Sequence, residues 1–445
     1  MIGPLRVPTP GELQPSTRPA DVSSVLHGTI LGDRSDRPDR WRAGSVIAGL
    51  IVCLLAPGEG LARSEPAVRF IAPEPAGRGD GSSWAHAASL SRLPELVGQL
   101  DEGGEIRLRA DRGPYHLDDP IVLGDRGSAA PLTIRGVDPS RRDARPILVG
   151  ERTAPYSPET AATGRPAFAL DTGADGLRFA GLRFRNVGNG CFLLRGAVHD
   201  LAISDVTATN VRRFIESEEG DGASVIGLVV QQTTVLGFSK GAVRLRNDSH
   251  DVLIEDVVAD SRRQDGDVFA MGFLLTDTVH HVVFRRAVAM NARDTVTEYR
   301  NGDGFVAERG TYDLLFDGTK AIDNMDAGYD IKASGVTFVG ASASGNKRNF
   351  RLWGSDVRMS EVRGHDPIRR GGDGTPAQLW AGPSASFTIS DARFLGSDSG
   401  TIVFDLERSA VGVAVRTAVR RRRGSDLVRL AEDARMTLNG AALRG

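Results

Sequence analysis

The stretch Asp251-Val252-Leu253-Ile254-Glu255-Asp256-Val257 alternates apolar with polar side chains and is rich in β-branched residues, the chemistry of a half-buried strand. The same weak pattern of apolar, any, apolar returns at Leu177, Leu201, Leu228, Val282, Leu314, Val336, Val357, Phe387, Val413 and Met436. Counting Val252 with them, neighbouring anchors lie as close as 21 residues (Val336 to Val357) and as far apart as 32 (Val282 to Leu314). Repeats of that length signal a solenoid, in which each turn buries its apolar side against the next. Unequal spacing means that loops of different size leave the corners. The pattern predicts an all-β fold, a parallel β-helix over residues 168–445. The two long intervals around Gln264 to Asp267 and Asn291 to Asn301 fall on successive turns, where long loops build the walls of a groove.

Composition agrees. The chain has 445 residues, 53 of them Gly and only 6% aromatic, which suits many short strands and tight corners. Its formal net charge is -2, so no global field recruits nucleic acid or an anionic membrane. The run Arg420 to Arg423 is the local exception, read either as a solvated turn or as a contact for a polyanion. Cys53 and Cys191 are the only cysteines, and Cys191 sits in the strand-like Gly190-Cys191-Phe192-Leu193-Leu194 as a buried, inert thiol.

At the N-terminus, basic Arg34, Arg37, Arg40 and Arg42 precede an apolar run ending at Ala56, then Gly60-Leu61-Ala62. This outlines a secretory signal over 44–62, cleaved after Ala62, with 1–43 as an extension ahead of it from a start assigned too far upstream. The run is short for a bilayer span of ~20 residues, so no stable membrane insertion is expected once it is removed. With Cys53 removed, no disulfide can form. Residues 63–167 are expected to form an N-terminal cap and the first coils. Leu90, Leu93, Leu96, Val97 and Leu100 recur at helical spacing and predict one amphipathic helix across Ser89 to Leu100, closing the end of the solenoid. A strand at Val68-Arg69-Phe70-Ile71, the turn Gly79-Asp80-Gly81-Ser82-Ser83-Trp84, that helix and Gly113-Pro114-Tyr115 follow in order. This order resembles the start of many secreted bacterial right-handed parallel β-helix proteins, among them polysaccharide lyases.

Three successive turns align on aromatic residues: Asn301-Gly302-Asp303-Gly304-Phe305-Val306, Asp326-Ala327-Gly328-Tyr329-Asp330-Ile331 and Arg348-Asn349-Phe350-Arg351-Leu352. Strand neighbours point to opposite faces, so Phe305, Tyr329 and Phe350 stack inward while Val306, Asp330 and Arg351 form an outward column. Asp303 and Asp326 fall at the turn entering the same strand edge. Three carboxylates on adjacent turns make an oxygen cage of the kind Ca²⁺ takes, although Asp and Gly also occupy such corners for their turn geometry alone.

The succession NGDGF, NMDAGYD and NFRLWG, over Asn301 to Gly354, resembles the core of the family 9 polysaccharide lyases, calcium-dependent pectate lyases with a right-handed parallel β-helix. The resemblance implies Asp303, Asp326 and Asp330 as calcium ligands, with Ala327 standing where that family has a further aspartate. It places Arg351 at the position of the catalytic lysine, a group far harder to deprotonate. The implied activity is calcium-assisted β-elimination across a uronic acid in an acidic polysaccharide, by a secreted or periplasmic protein acting as a monomer. Calcium would acidify the C5 proton by neutralising the C6 carboxylate. Arg351 would be the base or a carboxylate clamp, Lys332 an alternative catalytic group, and Arg300, Lys347 and Arg348 the substrate-binding residues. Two other readings stay open: a non-catalytic carbohydrate-binding β-helix, favoured by Ala327 and Arg351, and a β-helix glycoside hydrolase, which needs paired acids.

Overall fold

The computed structural model describes residues 67–445, except 101, 128–129, 141, 221 and 398. The extension and signal expected over 1–62 lie outside the described residues. Between the two end coils each turn of the chain passes three strand positions, so the stack of coils presents three parallel ladders, here faces A, B and C. Face B runs from Val68–Ile71, paired with Gly104–Arg109, through His280–Arg285, Tyr312–Asp317 and Ser334–Val339 to Arg435–Leu438. The ladder thus starts about a hundred residues ahead of Phe168. Face A includes Met271–Leu275, Asp303–Ala307, Ala327–Ile331, Arg348–Leu352, Ala377–Ala381 and Ile402–Leu406. Face C includes Val288–Met290, Lys320–Ile322, Ser342–Ser344 and Arg363–His365.

The repeat anchors share one inward column of face B, with one exception. Phe387 pairs with Gly412, not with Val413, which is exposed. A Cβ on Gly412 would lie 2.2 Å from the Phe387 ring and 2.7 Å from the Met436 sulfur. Large neighbours above and below therefore leave room only for glycine, and the apolar pattern slips by one residue. Corners between faces B and C are tight: Gly318 and Gly340 hold φ of +62° and +63°, open to glycine without strain.

Inside, aromatic rings stack coil on coil. Phe273, Phe305, Tyr329 and Phe350 are spaced 4.9, 5.0 and 5.2 Å between centroids and lie within 11° of parallel. Each such contact contributes about 0.5–1.5 kcal/mol beyond burial. The buried Tyr329 hydroxyl is satisfied by Thr319 Oγ1 at 2.9 Å and by donating to the Ser342 carbonyl at 3.2 Å. At the N-terminal end the expected helix is split into a 3-10 turn, Leu90–Arg92, and an α-helix, Leu93–Gly98, with Pro94 in its first turn. Its predicted apolar stripe is buried and packs on the strand Ile121–Leu123.

Cys191 is buried, and burial alone raises its thiol well above the usual range. No helix among the described residues is long and apolar enough to cross a membrane.

Candidate functional site

A ladder of buried amides fixes the corner where face C passes to face A. The Asn324 amide N–H donates to Asn346 Oδ1 at 2.9 Å, Asn346 Nδ2 to Asn349 Oδ1 at 3.0 Å, and Asn349 Nδ2 to Gln378 Oε1 at 2.8 Å. Buried amides need such partners, so the ladder holds one register. Asp326 follows Asn324 by two residues and Lys347 follows Asn346 by one, so both are set by it.

Register builds the expected column: Val306 pairs with Asp330, Asp330 with Arg351, and Arg351 with Trp380. Unlike an ordinary outward face, this one is covered, and Asp303, Asp326, Asp330 and Lys347 are all buried. Charges removed from water must pair, and Asp326, Asp330 and Lys347 do. Arg351 Nη1 donates to Asp326 Oδ2 at 3.1 Å, and its Nε lies 3.6 Å from Asp330 Oδ1. Lys347 Nζ sits 3.0 Å from Asp326 Oδ1, an ion pair without hydrogen-bond geometry. Lys332 Nζ bonds to Glu308 at 2.5 Å and lies 3.5 Å from Asp330 Oδ2, while Trp353 Nε1 donates to Asp330 Oδ1 at 2.8 Å. The Arg351 guanidinium lies 4.9 Å from the Trp353 ring and 5.6 Å from that of Trp380, and Arg348 lies 4.7 Å from Trp380.

Asp303 is the outlier. Its Oδ1 accepts from the Ala327 amide at 2.6 Å, but its buried Oδ2 has no partner. Burial first, then the neighbouring Asp326 and Asp330 charges, holds its carboxyl well above the usual range. Burial also raises Asp330, against the pull of Arg351 and Lys332. For Arg351, burial alone would weaken proton binding, yet Asp330, Asp326 and Asp303 reverse the sign and raise it. Lys332 is raised the same way, by Asp330 and Glu308 against burial. Both cations thus hold their protons more firmly than in water, the opposite of what a general base requires.

This arrangement bears on calcium. Within this network, Asp303 Oδ2 is the buried carboxylate oxygen that faces no side-chain cation among the described residues. The oxygens of Asp326 and Asp330 face Lys347, Arg351, Trp353 and Lys332, and among the described residues no three acids converge to hold one ion. Ca²⁺ takes six to eight oxygens. The expected ligands therefore come together, as a network closed by side-chain cations rather than as an oxygen cage, and the residues as arranged do not fit the ion.

The remaining expected residues divide. Arg348 joins the network from below Ala327, its partner in register. Lys347 is too buried to meet a sugar directly: a Cβ on Gly372 would sit 3.5 Å from its Nζ, so the Gly371-Gly372 segment roofs it. Arg300 is exposed on the preceding loop, against Gly371 and outside the network. Glu308, Trp353 and Trp380 were not anticipated. Trp353 stands in the quoted NFRLWG, and Trp380 lies one coil beyond Arg351, hidden from simple counting by the long loop between 366 and 376. Also unforeseen is a second cluster further up face A, where Arg213 and Glu216 pair at 2.8 Å and Arg212 and Asp267 at 2.7 Å.

No protein-family model and no curated protein matches the chain. Among solved structures it is similar to the A-module of the Azotobacter vinelandii mannuronan C-5 epimerase AlgE4, at TM-score 0.51 and 15% identity, over 78% of this chain and 94% of that one. The Agl-KA catalytic domain gives 0.49 at 10% identity, covering 75% and 62%, and pectate lyase Pel9A 0.36 at 12%, covering 82% and 79%. Likeness at such identities carries architecture alone, and with the three ladders above the likeness to the epimerase module establishes that the chain is a right-handed parallel β-helix.

Proposed function

We propose that the chain is a polysaccharide-active enzyme that works on a uronic-acid-containing polymer at the outward surface of face A, by removing the C5 proton. The observation that carries this reading is the Arg351 guanidinium, fixed between Asp326 and Asp330 and faced by two indole rings. A preorganised guanidinium beside aromatic rings suits a sugar carboxylate, which it can bind bidentately while a ring takes the apolar sugar face. The fold likeness to a mannuronan C-5 epimerase supports the substrate class.

The chemistry follows from the charges. Arg351 neutralises the C6 carboxylate and lowers the cost of a carbanion at C5, the role that calcium has in the family this sequence resembles. As a sugar carboxylate draws the Arg351 guanidinium outward, Asp330 beneath it is uncovered, loses part of its countercharge and becomes the better proton acceptor. The C5–H pair forms the C4=C5 double bond, the C4–O4 bond breaks, and O4 leaves with a proton from Lys332. Return of the proton to the opposite side of C5 instead would give epimerisation, which shares the first step.

The test incubates the purified protein with polygalacturonate and with polymannuronate, with added Ca²⁺ and with chelator. Ultraviolet absorbance reports the unsaturated product, and proton NMR reports inversion at C5. Turnover that persists in chelator and falls about 10²-fold or more in Arg351→Ala is expected, the usual effect of removing one fixed charge-stabilising donor. Turnover that requires Ca²⁺ would reinstate the metal. No reaction on either polymer, with polymer binding unchanged in Arg351→Ala, would sink the proposal and favour a carbohydrate-binding solenoid acting elsewhere on its surface.

A further inference from the structure

The corner between faces C and A carries a charge pattern that the face A network leaves unused. Loops ahead of Met271–Leu275, Asp303–Ala307 and Ala377–Ala381 enclose a cleft of about 320 Å³ lined by Arg263, Arg293, Arg300, Arg369 and Arg370, with Asp323 as its one carboxylate. A second cleft of about 590 Å³ shares Ile368 and Arg369 with the first and adds Arg422 and Arg423, part of the basic run in the sequence. Arg293 is paired with Asp265 at 2.8 Å and Arg370 with Asp323 at 2.5 Å, and Arg422 approaches Asp366 at 3.7 Å. Arg263, Arg300, Arg369 and Arg423 are exposed and have no carboxylate partner among the described residues.

Concentrated guanidinium on a chain of net charge -2 is a local field, held against its own repulsion. Its extent is set by the coils. Six pairings separate Met271–Leu275 from Asp426–Leu430 along face A, and at about 4.8 Å per step the loops that carry Arg263 and Arg423 stand about 29 Å apart. The residues lining the two clefts form no run of aromatic rings on which a single-stranded nucleic acid could stack base after base, although Tyr299, beside Arg300, is exposed. Planar guanidinium groups match carboxylate and sulfate oxygens.

We infer that this arginine track binds an extended polyanionic saccharide, laid along the solenoid axis with its carboxylate or sulfate groups toward the guanidiniums. The track goes beyond the chemistry proposed for the face A network and needs none of it.

Affinity electrophoresis of the full chain through gels containing polygalacturonate, dextran sulfate or neutral dextran tests this. Retardation by both charged polymers, absent with neutral dextran and falling steeply with added salt, is expected. The triple variant R263Q/R369Q/R423Q should bind roughly tenfold more weakly, as three exposed ion pairs allow. R178Q/R183Q/R358Q, an equal charge change on faces B and C, should bind within about twofold of wild type. Retardation is assigned to the track and turnover to Arg351, so R263Q/R369Q/R423Q should turn over saturating polymer within about twofold of the wild-type rate, which separates failure of the track from failure of the catalytic reading. Unchanged binding in R263Q/R369Q/R423Q, or equal loss in both triple variants, overturns the track. An oligodeoxythymidylate bound as tightly as dextran sulfate at equal salt overturns the saccharide assignment. Should the triple variant lose its thermal transition, the single variant R423Q decides the matter by a smaller loss or none.

Discussion

Faces A and B are built from the same coils in the same register, yet their outward surfaces differ in kind. On face B the ladder Gln231, Glu255, Arg285, Asp317 opens to water at its lower end: the Arg285–Asp317 pair, 3.1 Å apart, has side chains 38% and 41% exposed. On face A, Asp326 and Asp330 are 8% and 3% exposed, under Arg348, Arg351 and two tryptophans. An exposed pair gains little because solvent already serves both ions. A buried one is costly to assemble and far costlier to break, since the survivor stays charged without water. The coil supplies regular positions, and cover decides which of them hold charge under constraint. That is why function is assigned to face A.

The contrast breaks most visibly at Asp326. Asp326→Ala leaves Lys347 and Arg351 facing no common carboxylate, and we expect a loss of about 3–5 kcal/mol in denaturant unfolding, as for a severed buried pair. A loss under 1 kcal/mol would mean that the network is solvated and that face A differs from face B only in appearance.

Next in size is Arg351→Lys. The charge stays, but one ammonium cannot span Asp326 and Asp330 or lie flat between the indoles. Turnover of the acidic polymer should fall by about 10²-fold while the unfolding midpoint moves little. Wild-type turnover in this variant would show that only the sign of the charge matters.

The pH dependence sharpens the same difference. Asp303 binds its proton more tightly in the folded protein than the ordinary aspartate value of 3.8, because of burial and then its acidic neighbours. Above 3.8 the unfolded chain has released a proton that the native state retains, so raising the pH through this window weakens the fold. Asp303→Asn carries no such charge. Its melting temperature relative to wild type should therefore rise as the pH goes from about 4 to about 8. A constant difference across that range would show that Asp303 ionises as freely as an exposed carboxylate.

The sequence made much of this legible, and the failures are physical. Strand alternation and coil length located face B residue by residue until Gly412, where Phe387 and Met436 occupy the space that an apolar side chain would have filled. The outward column Val306, Asp330, Arg351 followed from strand geometry alone. Periodicity says which way a side chain points but not what lies over it. Acids read as a calcium cage on an open surface are instead enclosed with Lys347, Arg351 and Lys332. Lys347 comes from a corner of the next coil, and Trp380 from the coil after that, beyond a long loop. Residues so placed become neighbours only once the length of every loop is known.

The smallest effect is the control that gives the others meaning. Asp317→Ala removes the face B partner of Arg285, whose guanidinium then turns to Glu255, already 3.6 Å away, or to water. We expect no more than about 0.5 kcal/mol, shrinking further in high salt. Because Asp317 and Asp330 sit at comparable steps of parallel ladders in adjoining coils, backbone geometry cannot separate them. A cost for Asp317→Ala equal to that for Asp326→Ala would trace both to coil packing. A small, salt-sensitive cost leaves cover as the difference.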